Sequence, residues 1–163
     1  MNHFYTLHSA IADFSSSIAD KLRKEQSAAR WIFVFVVTDR FNPNVDYYQN
    51  HSGCRFEVAT SDLRELATAA HHCLKGVFRE GVPIKRAGVY VSEIEHAAVQ
   101  QSLFDTVNRE KQNRLLSAID AVRSKNGKSA LRIASQGDVN ELTRREKVSP
   151  RFTTHLDEII VVK

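Results

Sequence analysis

The first 96 residues predict an α+β fold: a small antiparallel or mixed sheet with two helices on one face, followed by a short, mostly helical extension. Three observations carry this expectation. An apolar stripe recurs at three- and four-residue steps near the start, a β-branched and aromatic run follows at Trp31–Val37, and the order is helix, strand, strand, helix, strand. A chain of 163 residues can bury about 70% of its unfolded surface, enough for a real core.

The elements follow in order. Phe4, Leu7, Ile11, Phe14, Ile18 and Leu22 form one helical stripe, and Lys21, Arg23 and Lys24 complement the helix dipole in its last turn. Trp31–Val37 is apolar on both parities and predicts a strand largely buried on both faces. Asp39 to Asn44, with Pro43 inside, breaks it into a loop. A second strand is expected from about Gly53 to Thr60, with Cys54, Phe56 and Val58 on one side and Arg55 and Glu57 on the other. Asp62 with Glu65 has the form of a capping box, and Leu63, Leu66, Ala70, Leu74 and Val77 line the helix it opens. Gly81 to Pro83 turns the chain into a third strand, Ile84 to Val91. There Lys85 and Arg86 fall on opposite faces unless a bulge re-aims one. One sheet face is left without a helix, and its expected character is polar and partly basic.

Ser92 to Val99 reads as a linker leading to Gln100-Gln-Ser-Leu-Phe104. A third helix from about Asn108 carries Leu115, Leu116, Ile119 and Val122 on its apolar face and ends at Asn126-Gly127. Ala130–Ala134 and Ile159–Val162 are candidate short strands. The organisation is thus a domain at 1–96, a linker at 97–107 and a tail at 108–163.

Composition excludes several classes. The chain is 42% hydrophobic and 26% charged, with six Gly and three Pro, unlike a disordered or collagenous sequence. No apolar run approaches the roughly 20 residues that span a bilayer, and the start lacks the pattern of a signal peptide. Cys54 and Cys73, outside any CxxC pair, point to a reduced, cytoplasmic protein. The net charge of +4 is uneven: residues 1–99 hold eleven basic and eleven acidic side chains, whereas residues 105–163 hold twelve and eight. That asymmetry fits either an anionic partner or a solvated basic tail.

Catalytic constellations are absent from the pattern. His71-His72-Cys73 has no second ligand cluster to complete a metal site, and Cys73 falls on the buried side of its helix. No phosphate-cradling glycine loop, GxSxG or HExxH occurs, and Asp13, Asp39 and Asp46 are not paired for acid–base or two-metal work. The expectation is a non-catalytic chain without cofactor or metal. Gln100 to Phe104 has the chemistry of a docking peptide, with Leu103 and Phe104 as apolar anchors and Gln100 as an orienting hydrogen-bond donor or acceptor. The alternative is a linker whose two apolar residues cap the core.

The whole chain resembles the C-terminal portion of UmuC-type proteins, the polymerase subunit of bacterial DNA polymerase V in the Y family of translesion polymerases. The stretches that carry the resemblance are Ile18-Ala-Asp-Lys-Leu22, the strand ending Thr38-Asp-Arg-Phe41, Thr60-Ser-Asp-Leu-Arg64, Ile84-Lys-Arg-Ala-Gly-Val-Tyr90, Ala118-Ile-Asp-Ala-Val122, Arg144-Arg-Glu-Lys147 and Ser149-Pro-Arg-Phe-Thr-Thr154. It implies a little-finger domain that lies across DNA and grips both backbones, with Thr38, Arg40, Ser52, Arg55, Lys85 and Arg86 as candidate contacts to primer–template or damaged DNA. It also implies that Gln100, Ser102, Leu103 and Phe104 bind the β sliding clamp, although Gln101 stands where Leu is preferred. A UmuD-type accessory subunit and a recombinase filament are the further partners it implies, with no membrane partner, in a bacterial, nucleoid-associated setting. The catalytic carboxylates of the family belong to a palm domain with no counterpart here. The little finger's first strand is missing as well, so the chain reads as an excised piece or the product of a broken reading frame. Two other classes stay open: a freestanding DNA- or clamp-binding regulator, and a protein–protein adaptor without DNA affinity.

Overall fold

Ile32, Val34 and Val36 are completely buried, and the rest of the fold is arranged around the strand that carries them. The structure, a computed structural model, describes residues 3–96, 108–127 and 130–137. Helix α1 (His3–Lys24) leads into β1 (Ser27–Thr38), β2 (Gln49–Thr60), α2 (Leu63–Val77), β3 (Ile84–His96) and α3 (Arg109–Asn126), and a 3-10 turn lies at Ala134–Gln136. The fold is α+β, as expected. The three strands form an antiparallel sheet in the order β2-β1-β3, with β1 in the centre.

Both α1 and α2 pack on one sheet face. On α2, the expected Leu63, Leu66, Ala70, Leu74 and Val77 are all buried, together with Cys73. On α1 the buried line runs through Ile11, Ala12, Ser15, Ala19 and Leu22. Phe14, expected in the stripe, is 43% exposed, because the helix approaches the core through its small residues. The Ser15 hydroxyl is satisfied within the helix, donating to the Ile11 carbonyl at 2.8 Å.

All three strands are longer than the sequence pattern indicated. Cross-strand pairing extends from Ser27↔His96 to Thr38↔Ile84, so the expected linker at Ser92 begins as strand. Pairing partners on β1 hold residues 92–96 in the ladder despite their weak apolar pattern. The segment Ala130–Ala134 is not a strand; it leads into the 3-10 turn, which is held against α1 by hydrogen bonds from Arg132 and Gln136 to Asp13 at 2.8 and 2.7 Å. Ile159–Val162 lies outside the described residues.

Asp62 caps α2 as expected, its carboxylate accepting from the Arg64 N–H at 2.6 Å. The reciprocal half of the capping box does not form. The Asp62 N–H donates to the Thr60 hydroxyl instead, and Glu65 turns outward to Arg109 and Gln112 on α3. Helix α3 is capped by Asn108, and Gly127 with φ of +89° ends it.

The buried face of α3 differs from the expected one. Gln112, Leu116 and Arg123 turn inward, while Leu115 and Val122 are about two-fifths exposed, at 43% and 39%. Charge decides this orientation. Arg23 on α1 grips Asp120 through two bonds of 2.8 Å, and Asp20 accepts from both Arg23 and Arg123 at 2.6 and 3.1 Å. These charge-assisted contacts, bidentate for Arg23 and Asp120, outweigh a short apolar stripe.

Candidate nucleic-acid interface

Strand alternation sends Trp31, Phe33, Phe35 and Val37 to the face of β1 opposite the helices. The register builds four cross-strand rows on that face: Arg55–Trp31–Ser92, Gly53–Phe33–Tyr90, His51–Phe35–Gly88 and Gln49–Val37–Arg86. The expected polar face is therefore aromatic along its middle and basic at two corners. Nor is β1 buried equally on both sides: its helix-facing residues are fully covered, whereas these rings are only half-buried.

The rings are ordered. Trp31 and Phe33 lie 5.5 Å apart at 14°, Phe33 and Tyr90 4.8 Å apart at 8°, and Phe35 packs at a tilt on Tyr90. Two glycines make room for them. A Cβ at Gly53 would meet Phe33 at 2.4 Å, and one at Gly88 would meet Phe35 at 2.5 Å. No glycine conformation is at issue here; the missing side chain lets each ring lean across a neighbouring strand.

The six candidate contact residues divide by position. Arg55 and Arg86 stand exposed on the open face, beside Trp31 and Val37 respectively. Arg40 is exposed on the β1–β2 loop, next to Phe41. Among the described residues, none of these three arginines has an acidic partner. Lys85 is the extra residue of a bulge, since Val37 pairs with Arg86 and Thr38 with Ile84. The bulge lets Arg86 face outward beside it. Lys85 is ion-paired with Asp39, and that hydrogen bond, with the Phe41 N–H, holds the Asp39 carboxyl below its ordinary range.

Thr38 and Ser52 do not join this set. Thr38 is 3% exposed, and its hydroxyl accepts from the Tyr48 N–H at 2.8 Å while facing the Asp46 and Tyr48 carbonyls. Its hydroxyl is engaged in closing the loop and leaves nothing for a phosphate. Ser52 lies on the helix-facing side of β2, near Cys73 and Gly76. The residues that sequence reasoning missed on this face are Trp31, Phe33, Phe35, Tyr90, His51 and Gln49. The signal was the odd-numbered aromatic series of β1, read as core instead of as a second face.

Of the other groups considered for chemistry, His71 stacks on His8 with ring centres 3.5 Å apart. Cys73 is buried, and burial pushes its thiol up. No group of three metal-ligating side chains occurs among the described residues. Nor is any described helix long and apolar enough to cross a membrane. Gln100, Ser102, Leu103 and Phe104 lie outside the described residues.

Comparison with known proteins places this geometry. Residues 2–103 match the impB/mucB/samB family C-terminal domain, and residues 113–162 match a domain of unknown function, DUF4113. The chain belongs to the impB/mucB/samB family and corresponds to the C-terminal part of a UmuC-type Y-family polymerase. Among particular relatives, protein UmuC of Salmonella typhimurium is 32% identical over 160 residues, 96% of this chain and 38% of that protein. Protein MucB of Escherichia coli is 31% identical over 149 residues, 91% and 35% of the two chains. Protein SamB of Salmonella typhimurium is 29% identical over 163 residues, 98% and 38%. The chain thus spans a little over a third of the length of these relatives.

Proposed function

We propose that this chain is the DNA-holding and clamp-tethering region of an error-prone translesion polymerase acting in SOS repair and mutagenesis, non-catalytic by itself. The observation that carries the reading is the set Arg40, Arg55 and Arg86, exposed and without acidic partners among the described residues. Arg30, by contrast, is ion-paired with Glu95 at 2.9 Å, and Lys85 with Asp39. Cations without partners are the ones free to neutralise phosphates.

The physical role is positioning. Arginine contacts to phosphate fix a duplex in place without reading its sequence, which suits a polymerase that must accept damaged template. Arg55 and Arg86 are separated by six residues' worth of β1, about 20 Å along the sheet, so they can reach different phosphates of one DNA. Glu57, two positions beyond Arg55, moderates the potential at that corner. Thr38 acts indirectly, by closing the loop that presents Arg40. Gln100, Ser102, Leu103 and Phe104 form the clamp-binding peptide. A UmuD-type subunit and a recombinase filament are the further partners, and the setting is the bacterial cytoplasm at the nucleoid.

Replacing Arg40 and Arg86 together by Ala weakens primer–template binding and lowers its salt slope by about two. A titration across salt reads this directly. An unchanged slope removes these residues from the interface. Absence of binding even at low salt favours a protein–protein adaptor instead.

A further inference from the structure

The seam between α3, with the 3-10 turn behind it, and the helix layer of the first domain is made of charge where apolar side chains were at hand. Arg109 donates to Glu65 at 2.8 Å, and Arg23 to Asp120 through two bonds of 2.8 Å. Arg123 donates to Asp20 at 3.1 Å, and Arg132 to Asp13 at 2.8 Å. Leu116 is the one apolar side chain of α3 buried there, and Ile133 packs at the edge of the core. Leu115 and Val122, two turns apart on one side of the helix, are left in water. We infer that this seam is a latch: α3 and the turn behind it dock and undock together through their ion pairs, while the first domain stays folded in both states.

The buried cluster of the first domain is drawn from α1, β1 and α2, so it is complete without α3. Ion pairs taken out of water add less stability than well-packed apolar residues of similar volume, and their best-attested use is to fix a register or build a switch. A seam filled by Leu115 and Val122 would hold tighter, but on opening it would leave an apolar patch in water. This one opens onto carboxylates, guanidinium groups and an amide, which water solvates, with only Leu116 and Ile133 among them. Salt reaches its rim, where the Asp120 side chain is 43% exposed, while Arg123 at 7% closes the inner end. The seam also follows the boundary between the two family matches, at residues 2–103 and 113–162. Undocking returns Arg109, Arg123 and Arg132 to solvent, so the open state presents more free positive charge than the closed one. None of this depends on the DNA-holding reading of the sheet face.

Hydrogen exchange of the full chain at about 0.1 M and about 1 M NaCl tests the latch without any substitution, because screening shortens from about 10 Å to about 3 Å between them. The expected result is that amides of residues 109–126 exchange about tenfold faster at the higher salt, while those of β1 and α2 keep their rates. Equal protection of α3 at both salts overturns the latch. Loss of protection on α3 and β1 together also overturns it, since the tail is then part of one cooperative fold. Asp20→Leu with Arg123→Met replaces the inner pair by apolar groups of similar volume and is expected to blunt the salt response of α3. A response of undiminished size in that double variant takes control of the seam away from the ion pairs and overturns the proposal.

Discussion

His8 and His71 illustrate how burial converts ordinary side chains into a pH-sensitive pair. The His8 backbone carbonyl can only accept, so His71 donates to it through Nε2–H at 3.1 Å, and its ring lies over that of His8. Burial lowers both histidines from the ordinary 6.5; His8 and Lys75 lower His71 further, and Lys75 does the same to His8. The unfolded chain therefore takes up protons at a higher pH than the folded one. Stability from this pair is full above about pH 6.5 and is lost as pH falls through the lowered folded values. Thermal melts of the wild-type chain are expected to show a midpoint that drops on acidification in that range. His8→Phe, which keeps a ring against His71 and Phe4, is expected to flatten the dependence. An identical profile in the variant places the acid sensitivity elsewhere. Neither histidine's role was legible in the sequence, where they are 63 positions apart and His71 stands out only as half of a doublet.

Helix α3 is the element whose sequence pattern and structural role diverge most. Its apolar residues predict a hydrophobic seam, yet it is anchored by Arg123 and Asp120 to α1, and by Arg109 and Gln112 to Glu65 of α2. Arg123 is only 7% exposed; it also donates to the Leu131 carbonyl at 2.9 Å. Removing the carboxylate that faces it leaves a cation with little access to water, at a cost of about 3 kcal/mol. Asp20→Ala is therefore expected to release α3 while the sheet persists. Hydrogen exchange checks this: amides of residues 109–126 lose protection, and those of β1 keep theirs. Unchanged protection on α3 would mean that Leu116 and Glu65 suffice to hold it. Helix α2 shows the opposite case, since its cap and its buried face both follow directly from sequence spacing.

At the scale of the whole molecule, the tail and the domain before it are coupled by charge. The tail's basic excess, one indication of an anionic partner, is partly consumed within the chain: Arg109, Arg123 and Arg132 meet Glu65, Asp20 and Asp13. These acids all lie on helices. Arg40, Arg55 and Arg86 take no part in these pairs, nor do Lys21 and Lys24 on α1 and Lys75 on α2, so among the described residues cations without an acidic partner stand on both sides of the first domain. The proposed clamp tethering belongs to this scale too, because a tether acts by raising the local concentration of everything attached to it. On the proposed reading, calorimetry of the chain with a bacterial β sliding clamp is expected to show saturable binding that Leu103→Ala/Phe104→Ala abolishes. Binding that survives the double substitution moves the clamp contact away from this peptide.

The α+β class, the order of elements, the α2 cap and buried face, and the family resemblance were all legible in the amino-acid order, because these depend on local periodicity and on residue order. Arg55 on the open face was likewise readable from alternation along one strand. The rest came from how the segments meet in the fold. Whether Lys85 or Arg86 faces outward depends on a bulge set by the partner strand. The direction of Ser52 and the engagement of Thr38 depend on neighbours eight or more residues away. The aromatic row exists only when β3 brings Tyr90 beside Phe33 and two glycines clear the space. Each of these is a relation between segments, and such relations are fixed when the strands pair.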